Sequence, residues 1–376
     1  MRAGTYLYPW DVVGDPAAPG LLADLGVAQV TLASAYHSTR ALTPRHPGHR
    51  IVTAEYAAVL YPPDGARWSG RSLRPYEAGE WAPGDAYGEA AGALADAGLE
   101  VHSWVVLAHN SRLGAEHPGT SVVNAYGDRY PWAPCIAQPD VRACLVDLAV
   151  EAAVRPGAAG TELESCGWYG LAHLHAHDKT AGVVLGDREQ YLMSLCFCPS
   201  CREGYGDEGV DPAALAAAVR GALEPVWAGG AAGPIDGFES AALSWRVRTA
   251  RALQESAVAA VRAAAPPGFR VLLHADPHAY RCGANVGTDP AHVLALADGV
   301  VTPAGTVAPF AAHAGPDTVL AANFPVVTGM GGSPSTLAED AERAAAAGAT
   351  ELRLYHAGLA SDADLAAVRE GLRALG

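Results

Sequence analysis

The fourth apolar run of the chain, Gly160–Glu164 (GTELE), ends on a carboxylate. The fifth, Phe269–Ala275 (FRVLLHA), is followed at once by another, Asp276. Two carboxyl groups flanking one bond are what glycoside hydrolysis requires: one protonates the leaving oxygen, the other attacks carbon or activates water. Between the two runs lies Thr161–Cys201, TELESCGWYGLAHLHAHDKTAGVVLGDREQYLMSLCFCPSC. It holds four of the seven cysteines, histidines at 173, 175 and 177, and Lys179, the only lysine among 25 basic residues. Cys196, Cys198 and Cys201 are spaced C-x-C-x-x-C with Pro199 enforcing a turn. Three thiolates so placed can occupy three corners of a structural zinc tetrahedron, with Cys166 or one of the histidines as the fourth ligand. The H-x-H-x-H run of His173, His175 and His177 suits a metal only as extended chain, because residues i and i+2 point apart on a helix. Read otherwise, His175 and His177 with Asp178 and Lys179 form a polar loop over a substrate mouth.

Such groups need a scaffold that brings distant segments together. Short apolar runs alternate with helical stretches along the whole chain. Strands are predicted at Ala3–Tyr8, Ala28–Ala35, Glu100–Ala108, Gly160–Glu164, Phe269–Ala275, Gly299–Pro303, Thr318–Phe324 and Glu351–His356. Helices are predicted from near Pro16, from Asp85, from Pro139, from Ser240, after Asp289-Pro290, after a Thr336 cap with Glu339, and after a Ser361 cap. Tyr36–Gly84 and His109–Gln138 read as long loops. Eight strands, each followed by helix or by loop and helix, predict an α/β protein. The chain reads as a single (β/α)8 TIM barrel over residues 1–376, with long loops and a Cys/His-rich insertion at about 165–236. A doubly wound open sheet fits less well, because no Gly-rich phosphate turn follows the first strand. For the same reason no nucleotide cofactor is expected.

Chemistry in this architecture gathers at the C-terminal ends of the strands. Those ends and their loops offer Tyr8, Trp10, Tyr36, His37, His109, Asn110, Glu164, His274, Asp276, Asn323, Tyr355 and His356. Aromatic faces stack on the C–H faces of a pyranose and the polar groups bind its hydroxyls. Tyr36, Trp10, Trp104 and Trp168 are the candidate stacking surfaces. Alternation sharpens the choice of carboxylate. With Leu163 facing the helices, Glu162 and Glu164 point into the barrel. With Leu352 and Leu354 outward, Arg353 and Tyr355 point inward. Glu162 then lies one layer below the mouth, within reach of Arg353, and Glu164 sits at the mouth as the candidate general acid/base. Leu272, His274 and Asp276 share a face, which makes Asp276 the candidate partner carboxylate.

The barrel layout, with LESCGWYG at the fourth strand, HLHAHDK after it and YLMSLCFCPSC beyond, resembles bacterial glycoside-hydrolase-like barrels. Several sugar-cleaving barrel families carry a similar C-x-C-x-x-C piece after a mid-barrel strand. The resemblance implies carbohydrate as substrate class and Glu164 as catalytic acid/base. The chain departs from the best-known retaining barrels in two places. Leu163 stands where they have Asn, and the seventh strand reads AANFPVVTG with no nucleophilic Glu. Two rivals stay open: a metal-dependent hydrolase using the histidine run, and a sugar-binding barrel without turnover.

Composition narrows the partners. Half the 376 residues are hydrophobic and only 17% are charged, with a formal net charge of −15. An acidic chain is a poor ligand for phosphate backbones or anionic membranes, while a neutral sugar is compatible with it. No apolar run approaches the roughly 18 residues of a membrane span, and the N-terminus has no signal-type apolar region, so a cytoplasmic protein is expected. A homo-oligomer is left open.

Overall fold

The computed structural model describes residues 1–171 and 178–376. Eight parallel strands close on themselves: β1 (Arg2–Leu7), β2 (Gln29–Tyr36), β3 (Glu100–Val106), β4 (Gly160–Glu164), β5 (Arg270–Asp276), β6 (Gly299–Pro303), β7 (Val319–Pro325) and β8 (Glu351–Tyr355). Closure is made by β1, which pairs with β8 through Gly4↔Arg353 and with β2 through Gly4↔Gln29. The predicted (β/α)8 barrel is therefore the fold, with every predicted strand within two residues of its observed bounds. Helices α1 (Ala18–Leu25), α2 (Ala86–Asp96), α3 (Pro139–Ala153), α4 (Glu239–Ala264), α5 (Pro290–Leu296), α6 (Ala308–Ala311), α7 (Leu337–Ala346) and α8 (Asp362–Ala374) follow the eight strands in turn.

Local chemistry explains most of these boundaries. The Asp289 carboxylate accepts from the Ala291 and His292 amides to start α5, and Ser361 forms a capping box with Asp364 at α8. Gly26 ends α1 at φ 95°, a left-handed conformation that favours glycine. Thr336 departs from expectation. Its hydroxyl bonds the Asp340 carboxylate and the Ser333 carbonyl and does not cap α7.

Outward-facing Leu163, Leu352 and Leu354 pack in the layer between strands and helices, fully buried. The barrel interior is different. Its lower layer is polar and aromatic, built from Tyr6, Gln29, Thr31, Glu162, His274 and Arg353, all buried. Arg353 Nε donates to Glu162 Oε1 at 2.6 Å, and Glu162 also accepts from Tyr6 Oη at 2.8 Å and Thr31 Oγ1 at 3.0 Å. Burial alone would push the Glu162 carboxyl up. The Arg353 guanidinium and the His274 ring beside it hold it well below the usual carboxylate range.

The long connections carry more structure than their sequences suggest. After β2 a hairpin forms from Thr39–Leu42 and Ile51–Ala54. After β3 come a short helix, Ser111–Glu116, and a second hairpin, Ser121–Val123 with Arg129–Pro134. Between β4 and α4 the insertion adds helices at Asp187–Met193, Pro199–Asp207 and Pro212–Trp227. Among the described residues no helix is long and apolar enough to cross a membrane.

Candidate functional site

At the C-terminal mouth the strand ends and loops enclose a cavity of about 770 Å³, a size suited to a small ligand. Glu164 stands at its base. The chain turns sharply just after it, because Ser165 takes φ 54°, a left-handed conformation uncommon for a residue with a side chain. The Ser165 amide donates to the Ala284 carbonyl, which ties the end of β4 to the loop after β5. Glu164 Oε2 accepts from Trp104 Nε1 at 2.7 Å, and His274 Nδ1 lies 3.9 Å away. His274 also approaches Glu162 through Nε2 at 3.4 Å, so one imidazole spans the two carboxylate layers. Fixing one oxygen of Glu164 on the indole leaves the other for the cavity.

Aromatic side chains surround this carboxylate. Tyr36 meets Trp104 edge-on at 4.6 Å between centroids, and Tyr8 Oη donates to Tyr36 Oη at 3.1 Å. Burial raises the Tyr8 and Tyr36 phenols well above their ordinary range. Burial, then the Glu164 charge, raises Tyr355. All three stay protonated and keep an O–H to donate. On the far wall the His37 and His109 rings lie 4.5 Å apart, and Tyr169 stacks on His109 at 4.3 Å. Burial lowers the His37 imidazole, favouring its neutral form. Asn323 and Asn285 line the cavity as amides, and Arg40 reaches it from the first hairpin.

Most of the expected site residues meet at this mouth: Tyr8, Tyr36, His37, Trp104, His109, Glu164, His274, Asn323 and Tyr355 all line the cavity. Others lie behind it. Trp10 stacks on the Tyr8 ring at 4.6 Å between centroids, and His356 stacks on it at 4.4 Å. Both are buried supports for that phenol, and burial pushes His356 down to about 3. Asn110 caps the helix Ser111–Glu116 by accepting from the Leu113 amide, so its side chain is committed to the loop. Trp168 is packed under the insertion, where Nε1 donates to the Arg246 carbonyl and the Arg246 guanidinium covers its ring at 4.8 Å. Lys179 is exposed and does not line the cavity. His173, His175 and His177 lie outside the described residues.

Asp276 does not face Glu164 across the cavity. Its Oδ1 accepts from the His278 amide and ring at 2.8 Å each, and Arg281 Nε lies 3.7 Å from Oδ2. Asp276 is the last residue of β5, and its carboxylate is engaged by residues of the loop that follows. Among the described residues Glu164 is the only carboxylate lining the cavity, and residues 172–177 contain no Asp or Glu.

The cysteines also regroup. Cys166 is buried apart from the others, and Cys135 takes the place expected for it. Cys135, Cys196, Cys198 and Cys201 offer sulfurs that all lie within 4.8 Å of one another. Spacing could not reveal this, since Cys135 is 61 residues from Cys196 in sequence and arrives on the second hairpin. Tyr169, Asn285 and Arg40 were likewise not legible as site residues, because the first two sit in loops without regular periodicity and Arg40 on a four-residue hairpin strand too short to stand out.

No protein-family model matches the chain, and no curated protein matches it significantly. Solved structures do share its fold. An α-L-fucosidase isoenzyme 2 from Paenibacillus thiaminolyticus superposes with a TM-score of 0.60 at 12% identity, covering 100% of this chain and 49% of that one. This chain thus spans about half of that enzyme. The PgaB (BpsB) glycoside hydrolase domain from Bordetella bronchiseptica gives 0.55 at 16% identity, covering 99% of both chains. The catalytic domain of a β-amylase from Paenibacillus polymyxa gives 0.56 at 12%, covering 100% and 98%. These structural neighbours are glycoside-hydrolase barrels, and what the likeness establishes for this chain is the fold.

Proposed function

We propose that this barrel binds a glycoside in the cavity above Glu164 and cleaves it, with Glu164 as the general acid/base. The observation that carries the reading is the setting of Glu164: one oxygen held by the Trp104 indole, the other at the base of a cavity walled by aromatic faces and phenol donors. Tyr36 and Trp104 border the cavity with little exposed ring face, so the more open Tyr355 ring is the one that can meet the apolar face of a sugar, and its hydroxyl and the Asn323 amide can bind sugar hydroxyls. Protonated Glu164 gives its proton to the glycosidic oxygen as the bond from the anomeric carbon to that oxygen breaks. The carboxylate so formed then takes a proton from the water that completes hydrolysis. Kinship of fold with glycosidases fits this class of substrate and does not specify the sugar.

A second reading, a barrel that binds sugar without turning it over, is favoured by one feature. Asp276 is tied to His278 and Arg281 and offers no second carboxylate in the cavity. A panel of methyl glycosides and oligosaccharides, whose poor leaving groups need protonation, assayed together with calorimetric titration of the matching free sugars, separates the two. Hydrolysis of at least one glycoside that falls about 100-fold or more in Glu164→Gln, with sugar affinity kept, supports catalysis by Glu164. Saturable binding with no hydrolysis supports the binding barrel. Hydrolysis that persists unchanged in Glu164→Gln contradicts the proposed role.

A further inference from the structure

Four buried thiols converge well away from Glu164. Cys135 Sγ lies 3.5 Å from Cys198 Sγ, 3.6 Å from Cys201 Sγ and 3.6 Å from Cys196 Sγ. A regular tetrahedron with metal–sulfur bonds of about 2.3 Å has its corners about 3.8 Å apart, so these sulfurs already stand close to the spacing of a mononuclear thiolate site. All four cysteines are at most 1% exposed, which protects such a site from chelators and oxidants.

The surroundings also suit bound thiolates. The Val123 amide points at Cys196 Sγ from 3.5 Å and the Cys198 amide from 3.4 Å. Amide N–H groups directed at sulfur stabilise negative charge there and orient the ligand. Cys198 is the N-cap of the helix Pro199–Asp207 and Cys201 stands in its first turn, at the end of the helix that favours anions. No carboxylate or imidazole joins the group among the described residues. An all-sulfur tetrahedral set selects zinc over the hard cations, and four protein ligands leave no open position for a reacting water.

We propose that Cys135, Cys196, Cys198 and Cys201 bind one zinc ion in a closed tetrathiolate site that clamps the hairpin after β3 to the insertion after β4. The two segments already meet there: Phe197 donates from its amide to the Val123 carbonyl at 2.7 Å, and Trp132 Nε1 donates to the Gly170 carbonyl at 2.8 Å. These segments lead directly to His109 and Tyr169, so the ion fixes the wall of the cavity from outside it. Its role is structural and independent of whether the barrel cleaves or only binds its ligand.

The test is metal analysis of the full chain purified without chelator. The expected result is close to one zinc per chain, lost in Cys135→Ser and kept in Cys166→Ser. Cobalt in place of zinc should give the intense near-ultraviolet sulfur-to-metal bands and visible bands of a tetrahedral thiolate site. If Cys135→Ser does not fold, mercurial titration of the wild-type protein still decides, because zinc should leave in step with modification of four thiols. Zinc lost in Cys166→Ser but kept in a folded Cys135→Ser would overturn the proposal. So would a metal-free protein that binds no cobalt, or one iron per chain in place of zinc.

Discussion

At the scale of single residues the account rests on how Glu164 and its neighbours are held. Alternation along two short strands suffices to place Glu162 below Glu164 and opposite Arg353, because neighbouring residues of a strand must face opposite sides of the sheet. The same rule puts Asp276 on the inner face but cannot foresee that His278, two residues on, captures its carboxylate. The Trp104 indole holds the proposed acid/base, donating to Glu164 Oε2. Trp104→Phe keeps a ring but removes the donor to Glu164 Oε2. A hydrogen bond to a charged group contributes about 1.5–3 kcal/mol, so kcat/KM should fall about tenfold or more, and Tm should fall by a few degrees because the smaller ring leaves a void at a buried position. An unchanged pH profile and rate in that variant would show that the indole does not tune Glu164. Asp11, just beyond β1, offers a separate pH test. It accepts from the Tyr8 amide at 2.8 Å, and burial raises its carboxyl to about 7. An ordinary aspartate loses its proton near 3.9 in the unfolded chain. The stability linked to the Asp11 proton is therefore complete below about pH 4 and is lost as pH rises through 7. Asp11→Asn removes that dependence, so Tm of the variant relative to wild type should be several degrees higher at pH 8.5 than at pH 4.5. A constant difference across that range would contradict the raised value.

Secondary-structure elements divide into those legible from sequence and those that are not. Most of the eight strands were legible as short apolar runs with both faces buried in the closed sheet, while Gly160–Glu164 and Glu351–Tyr355 were legible through leucines alternating with polar residues. The two hairpins were not. Thr39–Leu42 and Ile51–Ala54 alternate exposed and buried residues over only four positions each, too short a pattern to stand out from the Pro- and Arg-rich loop around them. The first hairpin nonetheless supplies Thr39, Arg40, Ala41 and Leu42 to the cavity wall and the second leads into Cys135, which is why Arg40 and Cys135 escaped a reading by strand ends. Element packing also makes a stability prediction. The Arg353–Glu162 pair joins β8 to β4 across the barrel interior, with both side chains fully buried. Arg353→Met strands a buried carboxylate and should cost about 3–5 kcal/mol in urea unfolding. Adding Glu162→Gln should recover part of that loss. A double variant less stable than Arg353→Met alone would argue against the pair as the source of the cost.

For the whole molecule, the closed parallel barrel follows from the order of strands and helices, since seven right-handed crossovers between the eight strands bring β8 back to β1. Closure gathers eight strand ends at one mouth, and a polar, aromatic layer beneath it carries the carboxylate without exposing the core. The formal net charge of −15 disfavours phosphate backbones and is compatible with a neutral ligand. A glycoside site worked by Glu164 is what we propose for this cavity. The most direct test of that proposal is kcat/KM for a series of aryl glycosides of rising leaving-group basicity, wild type beside Glu164→Gln. If Glu164 protonates the leaving oxygen, the variant should lose little on the most acidic phenol and 100-fold or more on the most basic. Equal losses along the whole series, or none, would contradict Glu164 as the acid.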